Sequence, residues 1–133
     1  MATLLIHGNR NQFTFANSIV AANLKAIEIF QEPLSDIYVI HSTESDKDLR
    51  NISEWLEYLK KYNIGKEQFV ERVIEITSAK ESIKRFVDYL EMIVKGSPDN
   101  MNLLVDLTNG TTFQKNILSI ASYILDLKHL EFK

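Results

Sequence analysis

The sequence predicts an α/β fold, a three-layer sandwich around a central parallel sheet of about five strands. Five short apolar or β-branched runs alternate along the chain with four longer segments in which apolar residues recur at helical spacing. Helices between consecutive strands favour right-handed crossovers, which make the sheet parallel and cover both of its faces. No linker or repeat divides the 133 residues, so we expect a single domain over residues 1–133.

The predicted strands are residues 3–7, 36–41, 70–77, 101–107 and 128–132. Residues 36–41 are rich in β-branched and aromatic side chains, as strands commonly are. Leu103, Leu104, Val105 and Leu107 form an apolar run that is typical of a strand buried on both faces. Residues 70–77 alternate apolar and charged side chains, which suits an edge strand.

The predicted helices cover about residues 13–30, 46–62 and 112–125, together with the segment between Ser78 and Gly96. Ser78 and Glu81 have the spacing of a capping box. After them, apolar residues fall on one helical face, and Gly96 and Pro98 end the helix.

The composition excludes several classes of protein. The chain has no cysteine, which excludes disulfides, thiol nucleophiles and cysteine metal sites. No apolar run reaches the roughly 18 residues of a membrane span, and the N-terminal apolar run is too short for a signal peptide, so we expect a cytoplasmic protein. The net charge is −3 and the basic residues form no stripe, so we expect no binding to duplex DNA.

Two polar loops mark the predicted ligand site. In a Rossmann-like sheet of order 3-2-1-4-5, strands one and four are neighbours, and ligands bind beyond their carboxyl ends where the chain changes direction. The loops after these strands begin new helices, whose unpaired N–H groups favour anions. The predicted ligand-binding residues are Gly8, Asn9, Arg10, Asn11, Thr14, His41, Ser42, Asp106, Thr108, Asn109, Gly110, Thr111, Thr112 and Lys115.

A plain turn with a helix cap is the structural alternative at these loops, because Thr, Asn and Gly are ordinary residues for that purpose. Arg10 and Lys115 are the cations nearest the predicted pocket, and each is also compatible with a simple surface charge. His7 and His41 end adjacent predicted strands, where either faces the pocket or makes a structural hydrogen bond.

Other sites are disfavoured by spacing. The first loop lacks the later glycines of the dinucleotide fingerprint, and the sequence Gly-Lys-Ser/Thr of nucleotide triphosphatases is absent. Asp106 lacks the second aspartate, two residues on, of an aspartyl-phosphate motif. The histidines have no metal-ligand spacing, so we expect neither a metal nor a cofactor.

The last predicted helix is apolar nearly all round, from Phe113 to Leu125. A helix that covers only its own sheet should show a polar face. We therefore expect either an interface in a symmetric homodimer or a position deep in the core.

The segment Asp106-Leu-Thr-Asn-Gly-Thr-Thr, placed between the fourth strand and a helix, resembles the CARF domains, the CRISPR-associated Rossmann fold. Their corresponding segment commonly reads Asp-x-Thr-Gly-Gly-Thr-Lys. Asn109 replaces the first glycine here, and Thr112 stands at the lysine position, so Lys115 one turn later is the candidate cation.

The resemblance implies a homodimer that binds a cyclic oligoadenylate, the second messenger of type III CRISPR defence, and that regulates an attached effector. Two readings of the chain stay open: a complete, minimal domain, or a fragment of a longer protein with an effector after Lys133. A second function within the family is ring nuclease activity, metal-independent cleavage of the same ligand. An unrelated nucleotide-binding Rossmann-like domain is the third reading.

Overall fold

Four strands form a parallel sheet at the centre of the molecule. The computed structural model describes residues 2–9, 11–42, 52–95, 102–124 and 131–132. The strands are β1 (Ala2–His7), β2 (Leu34–His41), β3 (Phe69–Val73) and β4 (Asn102–Asp106). Their order is β3-β2-β1-β4, and β1 pairs in parallel with both β2 and β4. The predicted parallel α/β sheet is confirmed in this order.

A fifth strand, β5 (Glu131–Phe132), makes a two-residue parallel pairing with the outer side of β4. The predicted strand covered residues 128–132, and residues 128–130 lie outside the described part of the chain. The structure therefore describes only the last residues of this predicted strand.

In the described part of the chain, four α-helices cover the two faces of the sheet: α1 (Gln12–Phe30), α2 (Ile52–Lys60), α3 (Ala79–Lys95) and α4 (Thr112–Ile124). On one face, Ile19 of α1 and Leu59 of α2 pack with Leu4 in one core. On the other face, Phe86 of α3 and Leu118 of α4 pack with Leu5 in a second core. The sheet is therefore the middle layer of three, with β1 contributing side chains to both cores.

The strand β3 is shorter than predicted. It ends at Val73, whereas residues 70–77 were expected to be extended strand. The Ile74 amide donates to the His41 carbonyl (2.8 Å), and β2 ends at His41. Within the described residues, no strand continues beside residues 75–77 beyond this bond, and the alternation of the sequence alone did not reveal that limit. A 3-10 turn, Lys66–Gln68, leads into β3.

The helix boundaries agree with local cap chemistry. Asn11 caps α1, since its Oδ1 accepts from the Thr14 amide (3.1 Å). Ser78 Oγ accepts from the Glu81 amide (3.3 Å) before α3, whereas the Glu81 carboxylate accepts from the Thr77 hydroxyl. The predicted start of α2 near residue 46 lies outside the described residues.

Among the helices in the described ranges, none has both the length and the hydropathy that are needed to cross a lipid bilayer.

Candidate functional site

The carboxyl ends of three neighbouring strands bring the predicted loops together. The first loop (residues 8–11) follows β1, His41 and Ser42 end β2, and the second loop (residues 107–111) follows β4. Arg10, which was predicted to lie in the pocket, is outside the described residues. The other predicted ligand residues all belong to these three ends or to the first turns of the helices that follow.

The buried carboxylate of Asp106 holds the second loop in shape. Its Oδ1 accepts from the Thr108 amide (2.6 Å), the Thr108 hydroxyl (2.7 Å) and the Asn109 amide (3.1 Å). Asp106 is fully buried, so these donors replace the water that its charge would otherwise require. The carboxylate therefore organises the loop that follows β4.

Asn109 connects the second loop to the first. Asn9 Nδ2 donates to Asn109 Oδ1 (2.9 Å), and Asn109 Nδ2 donates to Ser18 Oγ on α1 (2.8 Å). Asn9 Oδ1 in turn accepts from the Asn11 amide (2.9 Å), which turns the first loop toward α1. The two loops are therefore joined by side-chain amides, and Asn109, being buried, uses its polar atoms within the protein.

A reciprocal cap fixes the start of α4. The Gln114 amide donates to Thr111 Oγ1 (3.2 Å), and the Thr111 amide donates to Gln114 Oε1 (2.8 Å). The Gln114 side chain also donates to Ser42 Oγ, which links this helix to the end of β2. Gly110 precedes the cap with φ +95°, a conformation that L side chains rarely adopt.

Two amides at this helix start stay open for a ligand. The cap uses the N–H groups of Thr111 and Gln114, and Asp106 uses those of Thr108 and Asn109. Within the described residues, no acceptor is recorded for the amides of Thr112 and Phe113, and both residues are exposed. An oxyanion would find two N–H donors there and the positive end of the helix dipole.

His41 packs against the first loop and points one nitrogen at a carboxylate. Its Nε2 lies 3.2 Å from Glu71 Oε1, and the ring is buried. A Cβ added to Gly8 would lie 2.6 Å from His41 Nδ1, so only glycine allows the loop to pass this closely.

His7 lies beneath both loops. Its ring centroid is 5.6 Å from that of Phe86, and its Nε2 has no hydrogen-bond partner in the described part of the chain. Burial lowers the pKa of His7 from 6.5 to about 4, against the opposing effects of the Gln114 backbone and the Asp106 carboxylate. His7 is therefore neutral at pH 7, and it is covered by the site instead of facing it.

Charge near the open amides is sparse. Lys115 is half-buried, and its ammonium forms no ion pair within the described ranges. No group of three acidic or histidine side chains in those ranges is arranged to hold a metal ion. The arrangement can bind a small anion mainly through neutral N–H and O–H donors.

Three contributors were missed by the sequence interpretation: Ser18, Gln114 and Glu71. Gln114 carried a readable signal, because Thr111 and Gln114 have the same capping-box spacing that was recognised at Ser78. Ser18 and Glu71 reach the site from a helix interior and from an edge strand, and no local motif marks either of them.

The comparisons with known proteins add no relative: no protein-family model and no curated protein matches this chain.

We predict that Asp106→Ala lowers the free energy of unfolding by about 3 kcal/mol, because two backbone amides and a hydroxyl lose a buried acceptor. Asp106→Asn, which keeps one acceptor oxygen, should lose less. Asp88→Ala removes an exposed carboxylate and should change stability by less than about 0.5 kcal/mol. Urea denaturation measures all three, and equal losses at Asp106 and Asp88 would contradict the assigned role.

We also predict that stability falls as the pH is lowered from about 6.5 to about 4, by up to about 3 kcal/mol from His7 alone. In this window, the unfolded chain takes up a proton that the folded His7 does not accept, so stability rises with pH. Urea unfolding across this range should show a flatter pH dependence for His7→Gln than for the parent chain. Identical slopes for the two proteins would refute a buried neutral imidazole.

Proposed function

We propose that this chain is a CARF-like sensor domain that binds a cyclic oligoadenylate in the cytoplasm and regulates an attached effector. The observation that carries the proposal is the 2.9 Å hydrogen bond between Asn9 and Asn109, which joins the loops after β1 and β4. These strands are the neighbours at which an open parallel sheet changes direction, the usual position of a nucleotide ligand.

The open amides support an anionic ligand. Thr112 and Phe113 offer N–H donors at the start of α4, beside the Thr111 hydroxyl and one turn from Lys115. A cyclic oligoadenylate presents a ring of phosphates, each of which needs only a few donors. Two copies of the site would meet such a ring with matching two-fold symmetry.

An apolar surface on α4 supports the proposed homodimer. Ile117, Leu118 and Ala121 of this helix are buried in the core. On its outer side, Phe113, Ile120, Tyr123 and Ile124 are all more than 40% exposed. Exposed apolar residues on one helix commonly mark an interface. We assign this face of α4 to contact with a second copy of the chain. We also propose that the complete sheet has the five-strand order 3-2-1-4-5.

Calorimetry with cyclic tetra-adenylate and cyclic hexa-adenylate tests the proposal. We expect saturable binding of one ring per two chains. Asn9→Ala should weaken it by about tenfold, since it removes the link between the loops. Asn102→Ala is the matched control, because Asn102 donates an equivalent side-chain hydrogen bond to Glu32 at the amino end of β4. Absence of binding to both rings would refute the sensor role.

Chromatography of the nucleotide recovered from the same samples separates the remaining readings. An intact ring is expected for a sensor. A linear product would instead assign ring nuclease activity, in which the site holds a ribose 2′-hydroxyl in line with its phosphate. A mononucleotide that stabilises the fold against heat better than either ring would assign an unrelated nucleotide-binding domain.

A further inference from the structure

A second cleft lies away from the loop site, beyond the carboxyl end of β3. It has a volume of about 820 Å³, and its lining residues include Arg72, Glu75, Arg85, Asp88, Tyr89 and Met92. This volume is within the range of small-molecule sites, roughly 300 to 1,000 Å³. The strand β2 separates it from the loop after β1, so the two sites share no lining residue.

Arg72 is a cation in the lining of this cleft. Its guanidinium carbon lies 5.2 Å from the centre of the Tyr89 ring, and it forms no ion pair with any described carboxylate. Stacking on an aromatic ring orients the planar guanidinium and leaves its N–H groups available for an oxyanion. Arg72 is therefore held in position without being neutralised.

Tyr89, in the wall of the cleft, carries a second group that lacks a partner. Its side chain is 5% exposed, and its hydroxyl is buried without a hydrogen-bond partner in the described part of the chain. Burial raises the pKa of Tyr89 to about 12, so the hydroxyl stays protonated and can donate. A buried hydroxyl without an acceptor is costly, and an oxygen of a ligand would relieve that cost.

The remaining charged groups of the cleft restrict which chemical groups the ligand can carry besides its anionic group. Arg85 Nη1 donates to the Glu75 carbonyl (3.2 Å), and its Nη2 lies 3.9 Å from Glu81 Oε2, so Arg85 is fixed and partly neutralised at the rim. The carboxylates of Glu75 and Asp88 also line the cleft. They would repel a bare anion but would accept hydrogen bonds from hydroxyl groups.

We propose that this cleft binds a small hydroxylated organic anion, with its phosphate or carboxylate group on Arg72 and its hydroxyl groups toward Glu75 and Asp88. At the rim, the exposed side chain of Met92 offers an apolar contact to the uncharged part of the ligand. The site takes one such molecule per chain. It is independent of the proposed sensor role.

Amide NMR spectra of the full ¹⁵N-labelled chain test this proposal with three probes: adenosine monophosphate, glucuronate and uncharged adenosine. We expect saturable shifts at residues 72–75 and 85–92 with at least one anion below about 10 mM, and weaker shifts with adenosine. A response to adenosine monophosphate alone identifies a phosphate ligand, and a response to glucuronate alone identifies a carboxylate ligand.

Variants of the same protein distinguish specific binding of the anion by Arg72 from a general effect of removing one positive charge. Arg72→Gln should weaken binding by at least about fivefold. Lys84→Gln removes one exposed charge from α3, the helix that lines one side of the cleft, at a position outside the cleft lining, and should leave the affinity unchanged. Tyr89→Phe should weaken binding without lowering stability, because no described group uses the hydroxyl.

Three results would overturn the proposal: no saturable shift at these amides with either anion, equal binding of adenosine, or equal loss in Arg72→Gln and Lys84→Gln. Unchanged affinity in Tyr89→Phe would overturn the part assigned to the hydroxyl.

Discussion

The buried carboxylate of Asp106 is the group on which the geometry of the loop site depends. Without water, its charge needs several donors, and the nearest ones are the amides and the hydroxyl of the loop that follows it. Meeting that need folds residues 107–111 back over the end of β4 and presents Asn109 to the first loop. A stability requirement inside one strand end thus sets the distance between two segments that lie a hundred residues apart.

The site combines the buried carboxylate of Asp106 with an outer surface whose groups are largely uncharged. Asp106 is satisfied from within, and burial keeps His7 uncharged beneath the loops. What the site offers outward is N–H and O–H groups at the start of α4, with Lys115 as the cation described nearby. Such donors suit phosphates that are shared between two copies of the site, as in the proposed sensor, because neither copy then has to neutralise the ligand alone.

Much of this architecture could be predicted from the sequence. Apolar runs and helical periodicity predicted the four strands and a parallel sheet, and the strand order usual for a Rossmann-like fold then placed the loops after β1 and β4 side by side. Three features were beyond local patterns. The early end of β3 depends on where β2 stops. The hydrogen bond between Asn9 and Asn109 joins residues a hundred positions apart, and the bond from Gln114 to Ser42 joins α4 to the end of β2. Some loop residues that were predicted to contact the ligand, notably Asn109, use their polar groups in hydrogen bonds within the protein. The reason is that buried polar groups need hydrogen-bond partners inside the fold.

If the two loops act as one anion site, a bound ligand must perturb both of them. Amide NMR titration of the labelled chain with cyclic tetra- and hexa-adenylate measures this. We expect the amides of Gly8 and Asn9 and those of residues 110–113 to shift together and to yield one dissociation constant. Shifts in one loop alone, or no shift in either loop, would show that the two loops do not form one anion site.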